Sequence, residues 1–197
     1  MQFSKKEEYL REKDKKLKKI IDENGHIVFK PNKDHQFDTL VGIVVSQFIS
    51  TKAANSIFLK IKKNLNSKFL NQKDFEKLSI NDIKNLGLSM NKAKSINKLS
   101  ELYLSEELSD LTILSDEELS QKLLSVFGIG PWSLNMFQIF CLGKLDIFSS
   151  RDAGLRLGMN NCRMVKSGSE FNKYEEYAEL WSPYKTIASI HLWKTVD

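Results

Sequence analysis

Cysteine is almost absent from this chain, whose 197 residues include two, Cys141 and Cys162. Two thiols cannot build a disulfide framework, lack zinc-ligand spacing, and fall short of the four thiolates an iron–sulfur cluster normally takes. Long apolar runs are missing as well. The richest stretch, Phe37 to Ile49, is broken by Asp38, Gly42, Ser46 and Gln47, so no segment reads as a membrane span. The N-terminus is dense in Lys and Glu, which fits neither a secretory signal nor an acid-poor transit peptide, and a cytoplasmic location is expected. Strand signals are scarce, and no internal repeat or low-complexity linker divides the chain.

What is present is a basic, helix-punctuated domain. The net charge of +5 and the pI near 9.0 suit a polyanionic partner, although many basic proteins bind none. Ser4 can cap a first helix through about Glu23, with Leu10, Leu17, Ile20 and Ile21 on one face. The other face mixes Lys5, Lys6, Lys13, Lys16 and Lys19 with Glu7, Glu8, Glu12 and Asp14, and reads as a solvated surface. Phe37–Ser46 reads as a buried helix, and Thr51 to Lys63 as a second. A short helix from Ser79 stops at Gly87, and the next opens at Ser89 with Ala93, Ile96, Leu99 and Leu102 buried. Ser115-Asp116-Glu117-Glu118 is a capping box for a helix to about Val126. Pro131 begins another to Leu142; Ser169 to Leu180 and a last segment from Ser182-Pro183 to Trp193 complete an all-α set.

Phe127-Gly128-Ile129-Gly130, between two of these helices, is the most specific local pattern. Glycine at both ends of the turn permits positive φ, Ile129 can anchor the turn, and the amides opening the Pro131 helix sit at a positive dipole end. The residues alone leave two readings open, a plain helix corner or a phosphate cradle that positions a duplex without reading its sequence. Asp152 is similarly two-sided: it is an N-cap for the Ala153 helix or a working carboxylate. Arg151 and Arg156 flank it, either favouring its ionised form or facing phosphates.

Beyond the hairpin come Trp132, Ser133-Leu134-Asn135-Met136-Phe137, Asp146-Ile147-Phe148 and Ser149-Ser150-Arg151-Asp152. In this run the chain resembles the helix-hairpin-helix (HhH-GPD) DNA glycosylase superfamily, in its AlkA-like, 3-methyladenine DNA glycosylase II branch. Three more segments carry the likeness: Ser46-Gln47-Phe48-Ile49-Ser50, Leu86-Gly87 through Lys92-Ala93, and Trp181-Ser182-Pro183-Tyr184 through Trp193. The likeness spans roughly residues 35 to 194. One departure is the absence of a proline shortly before Asp152, where Ser149 and Ser150 stand.

The resemblance implies an all-α, multi-helix fold with the DNA cleft between two helical halves. It divides the chain into an N-terminal helical segment, 1–34, packing on a 35–197 glycosylase domain, a single compact unit overall. It assigns catalysis to Asp152, with Asp146 as the structural alternative. Trp132, Trp193 and Met136 fall to the base pocket, where aromatic faces would attract a cationic alkylated base. Gln47, Gly128, Ile129, Gly130, Ser133 and Arg151 fall to DNA contact, and Phe48 to the wedge that fills the gap left by a flipped nucleotide. Bifunctional members carry a lysine where this chain has Trp132, which implies a monofunctional hydrolase that uses water. No metal or cofactor is implied for the chemistry, although a monovalent cation can sit at the hairpin backbone. The implied partner is double-stranded DNA containing a damaged base, met by a monomer with no membrane association, in the nucleoid of a bacterium or the nucleus of a eukaryote. A glycosylase for deaminated or oxidised bases and a non-catalytic DNA-binding module are the alternatives.

Overall fold

Side-chain caps start most of the helices. Ser4, Ser50, Ser79, Ser89, Ser115 and Asp152 each accept a backbone N–H from the first turn that follows them. The computed structural model describes residues 2–196 and, among them, contains eleven α-helices and no strand. None is long and apolar enough to cross a membrane. The chain forms two compact units, Pro31–Leu142 and the pair Met1–Lys30 with Gly143–Asp197.

The first unit in chain order combines the N-terminal helices α1 (Lys5–Lys13) and α2 (Lys15–Asn24) with the C-terminal helices. Leu10, Leu17, Ile20 and Ile21 form the buried stripe that their spacing predicts. Each such burial is worth about 1.5–3 kcal/mol, enough to hold a helix whose outer face is charged. The expected single helix is in fact two, broken at Asp14. The Asp14 carboxylate turns back to accept the amides of Lys16 (2.8 Å) and Leu17 (3.2 Å), and its other oxygen accepts the Trp181 indole N–H at 3.0 Å. Asp14 is therefore buried and not on a solvated face, and the same correction applies to Glu7. Glu7 accepts the amides of Ser4 (2.7 Å) and Ile27 (3.0 Å) and meets both the His26 and the His191 rings. Burial works to raise its pKa, but the amides of Ile27 and Ser4 and the His26 ring outweigh it and hold the carboxylate at about 2.

After residue 143 the same unit adds α9 (Ala153–Asn161), α10 (Phe171–Ala178) and α11 (Lys185–Trp193). Trp181 and Tyr174 are fully buried among Leu155, Met159, Ala188 and Leu192. Thr186 ties residues 144–147 to the start of α11, donating to the Lys144 carbonyl at 2.7 Å and accepting the Ile147 amide at 3.2 Å.

The second unit holds α3 (Gln36–Ser46), α4 (Thr51–Asn64), α5 (Ile80–Asn85), α6 (Met90–Leu104), α7 (Asp116–Leu124) and α8 (Pro131–Phe140). Helix α3 is its axis, packed on α4, α6 and α8, and is buried on nearly every side as its composition predicts. Its one buried charge, Asp38, pairs with Lys62 at 2.8 Å and accepts the Leu70 amide, so no lone charge is left in the core. Cys141 is buried, as a core residue should be.

Candidate functional site

In the second unit the hairpin follows α7. Ile129 is 5% exposed and its amide donates to the Val126 carbonyl at 3.0 Å, so the turn is pinned to the core by its apolar residue. The two glycines serve different ends. Gly128 has φ +81°, and a Cβ there would lie 1.9 Å from the Ser95 hydroxyl, so both backbone and packing demand glycine. Gly130 has φ −110° and so makes no use of the positive φ that glycine permits, and a Cβ would meet nothing within 4 Å. Nothing inside the protein requires glycine at 130. It is the N-cap of α8 yet has no side chain to cap it, and Pro131 supplies no N–H.

Gln47 is bound into this hairpin. Its Nε2 donates to the Gly128 carbonyl at 2.9 Å and to the Ser133 hydroxyl at 3.0 Å, and Ser133 is itself 2% exposed. The Lys92 ammonium donates to the Val45 carbonyl at 2.8 Å, in the last turn of α3, where the helix dipole favours a cation. Burial lowers the pKa of that ammonium. None of these three bonds is visible in the sequence, although Lys92 lies in one of the family-like segments. Immediately beyond α3, Phe48 stands at φ +58° with its ring wholly exposed. A left-handed non-glycine residue costs about 1–2 kcal/mol, and leaving a phenyl ring in water forgoes roughly 1.5–3 kcal/mol of burial. Trp132 is half-buried and Met136 buried, one turn apart on α8.

In the first unit Asp152 is 8% exposed and caps α9. Its Oδ1 accepts two donors, the Leu155 amide at 2.8 Å and the Trp193 indole N–H at 2.9 Å. The two readings of Asp152 are thus compatible, since the capping carboxylate also engages an aromatic residue assigned to the base pocket. Gly154 makes this approach possible: a Cβ there would lie 3.2 Å from both Asp152 Oδ1 and Trp193 Cδ1. Asp146 accepts the Ser182 hydroxyl at 2.9 Å near the start of α11, a structural task. The guanidinium groups of Arg151 and Arg156 both lie over the Phe171 ring, at 5.9 Å and 4.9 Å. Among the described residues no group of three or more His, Cys, Asp or Glu side chains is placed to hold a metal ion.

Comparison with known proteins adds a family and several relatives. The model of the HhH-GPD superfamily of base excision DNA repair proteins matches residues 41–183. The alkylbase DNA glycosidase-like protein mag2 of Schizosaccharomyces pombe is 26% identical over 198 residues, covering 98% of this chain and 93% of that protein. DNA-3-methyladenine glycosylase 1 of the same yeast is 27% identical over 201 residues, covering 98% and 87%. The solved structure of S. pombe 3-methyladenine DNA glycosylase (Mag1) in complex with abasic DNA matches with a TM-score of 0.89 at 26% identity, covering 98% of this chain and 96% of that one.

Proposed function

Because the chain belongs to the HhH-GPD superfamily of base excision DNA repair proteins, we propose that it is a DNA glycosylase. Its substrates are flipped alkylated purines of the 3-methyladenine and 7-methylguanine type in duplex DNA, and it hydrolyses their glycosidic bond without cleaving the strand. The observation that carries this reading is the convergence of the Leu155 amide and the Trp193 indole on one oxygen of Asp152. Relatives named as 3-methyladenine glycosylases and similar over nearly their whole length support it.

As the base departs, positive charge grows on the sugar. A buried carboxylate stabilises that charge more strongly than a solvated one, and two donors on one oxygen keep it from swinging away. An alkylated purine is already cationic, so it is a good leaving group and needs little acid assistance. Trp132 stands where a Schiff-base lysine would be needed, so water is the nucleophile and an abasic site the product. The hairpin supplies the grip. With no side chain at Gly130 and a positive helix end behind it, a phosphate can approach the backbone closely. The turn's backbone oxygens are hard, uncharged donors that suit a monovalent cation; such an ion would serve phosphate binding and takes no part in bond cleavage. Phe48 is the wedge, its strained and exposed setting favourable once a vacated base position receives the ring.

The test is excision from duplexes carrying 7-methylguanine, hypoxanthine, uracil or 8-oxoguanine, read as abasic sites with and without alkali. Release of 7-methylguanine with nicking only after alkali is expected, and Asp152→Asn should lower the rate by about a thousandfold while leaving duplex affinity nearly unchanged. Tight duplex binding with no release from any substrate would make the protein a binding module. Release of another base alone would move the substrate class, and full activity in Asp152→Asn would mean another carboxylate.

A further inference from the structure

The segment leading into Asp152 has no proline to stiffen it, yet both of its serines are buried, Ser149 at 2% and Ser150 at 3% exposure. Ser149 holds the turn through its carbonyl, which accepts the Asp152 amide at 3.0 Å, while its hydroxyl finds no acceptor among the described residues. Side-chain anchorage therefore falls on Ser150, which is gripped twice. The Arg156 Nη1 donates to the Ser150 carbonyl at 2.6 Å, and the Ser150 hydroxyl donates to Glu175 Oε1 at 2.6 Å. Both are short bonds to charged groups, the stronger class of hydrogen bond. The grip has its own support. Arg156 lies on α9, one turn beyond Asp152, and its guanidinium packs over Phe171 at the start of α10, the helix that also carries Glu175.

We propose that Arg156 and Glu175 are positioning residues for Asp152, clamping Ser150 so that the carboxylate enters α9 in one place. This rests on the reading of Asp152 as the working carboxylate. The clamp substitutes side-chain bonds for backbone stiffness. Its two ends are unlike: Arg156 fixes the main chain on the carboxylate's own helix, while Glu175 ties it to α10. Removing either end leaves Asp152 capped and paired with Trp193 but lets the preceding segment shift. A displacement well under 1 Å would already slow a reaction that depends on near-attack placement.

Single-turnover excision of 7-methylguanine and the dissociation constant for a duplex with a tetrahydrofuran abasic analogue separate placement from binding. Glu175→Ala should slow the chemical step about tenfold and change the dissociation constant less than twofold, because Glu175 is acidic and no DNA ligand. Glu175→Gln, whose amide oxygen still accepts the Ser150 hydroxyl, should recover most of the rate. Arg156→Ala should slow the step at least as much, and Arg156→Lys, which can reach the same carbonyl, should recover part of it. A wild-type rate in Glu175→Ala would overturn the proposal. So would a loss confined to the dissociation constant in both Ala variants, which would make the cluster a DNA contact. Should Arg156→Ala fail to fold, the Glu175 pair decides alone. Asp152→Asn, run alongside, keeps the two readings apart: if it retains activity the assignment of the carboxylate fails, whatever the Glu175 variants do.

Discussion

The two units handle exposure in opposite ways. In Pro31–Leu142 two of the features assigned to DNA contact face outward or are shaped by the main chain: a wholly exposed Phe48 in a left-handed turn, and an N-cap glycine with open space beside it. In the unit formed by Met1–Lys30 with Gly143–Asp197, the assigned carboxylate is buried and accepts hydrogen bonds from the Leu155 amide and the Trp193 indole. Gripping a polyanion needs backbone amides and apolar groups that a partner can reach. Stabilising a developing cation needs a charge in a fixed place, shielded from water. The contrast teaches that binding and chemistry rest on different supports, so substitutions should separate them.

The comparison is broken most severely at Gly128. There the grip depends on the core, because the missing side chain makes room for Ser95 and the backbone lies at φ +81°. Gly128→Ala combines the left-handed penalty with overpacking, roughly 2 to 5 kcal/mol in total. Urea unfolding should show that loss, with the midpoint shifted and the slope unchanged. A shift under 0.5 kcal/mol would mean that Ser95 and the turn relax freely.

Acid should next distinguish the units. Glu7, with its pKa held at about 2 against an ordinary 4.5, contributes stability that is fully present above pH 4.5 and lost as pH falls toward 2. The full contribution is on the order of 3 kcal/mol. Burial lowers the pKa of His191 below 6.5, which has the same sign: stability declines as pH falls through 6.5. The low-pKa carboxylates of the other unit are Asp82 and Glu118, exposed capping-box partners of Ser79 and Ser115, and Asp110, half-buried beside Thr112 and Gln36; none is buried as Glu7 is, so their loss should matter less. Amide protection factors on α11, taken relative to intrinsic exchange at each pH, should therefore fall before those on α3 as pH drops from 7 to 3, and Glu7→Gln should flatten that dependence. Simultaneous loss of protection in both helices would remove the distinction.

What could be read from the sequence follows the range of each interaction. The capping box at Ser115, the proline start of α8 and the cap at Asp152 span three residues or fewer, and the buried stripe of α1 and α2 repeats at helical spacing. All of these are visible in a single stretch of chain. The break at Asp14 was hidden because the indole that buries its carboxylate lies 167 residues away. Glu7 looks like one more surface acid until His191, 184 residues away, is brought to it. Gln47 and the Gly128 carbonyl are 81 residues apart, and Ser150 and Glu175 are 25 apart. Polar groups buried by such pairs carry no periodic signal, so the sequence shows the residues without the partners that define their work. The family likeness supplied roles for the hairpin and Asp152 but no account of what holds them.

The mildest substitution is also the sharpest probe of the comparison. Gly130 differs from Gly128 in having an ordinary backbone angle and nothing within 4 Å of a Cβ. If the space belongs to a phosphate, Gly130→Ala should leave urea stability within about 0.5 kcal/mol of the parent, as surface changes usually do. Duplex affinity should still fall about fivefold, because a methyl group would hold the phosphate away from the amides at the start of α8. The single-turnover rate at saturating protein should stay at its parent value, since Asp152 and its partners are untouched. Equal affinity in the variant would show that the duplex does not approach Gly130 closely. A slower rate at saturation would show that the grip also sets the chemistry, and the separation drawn between the two units would fail at its finest point.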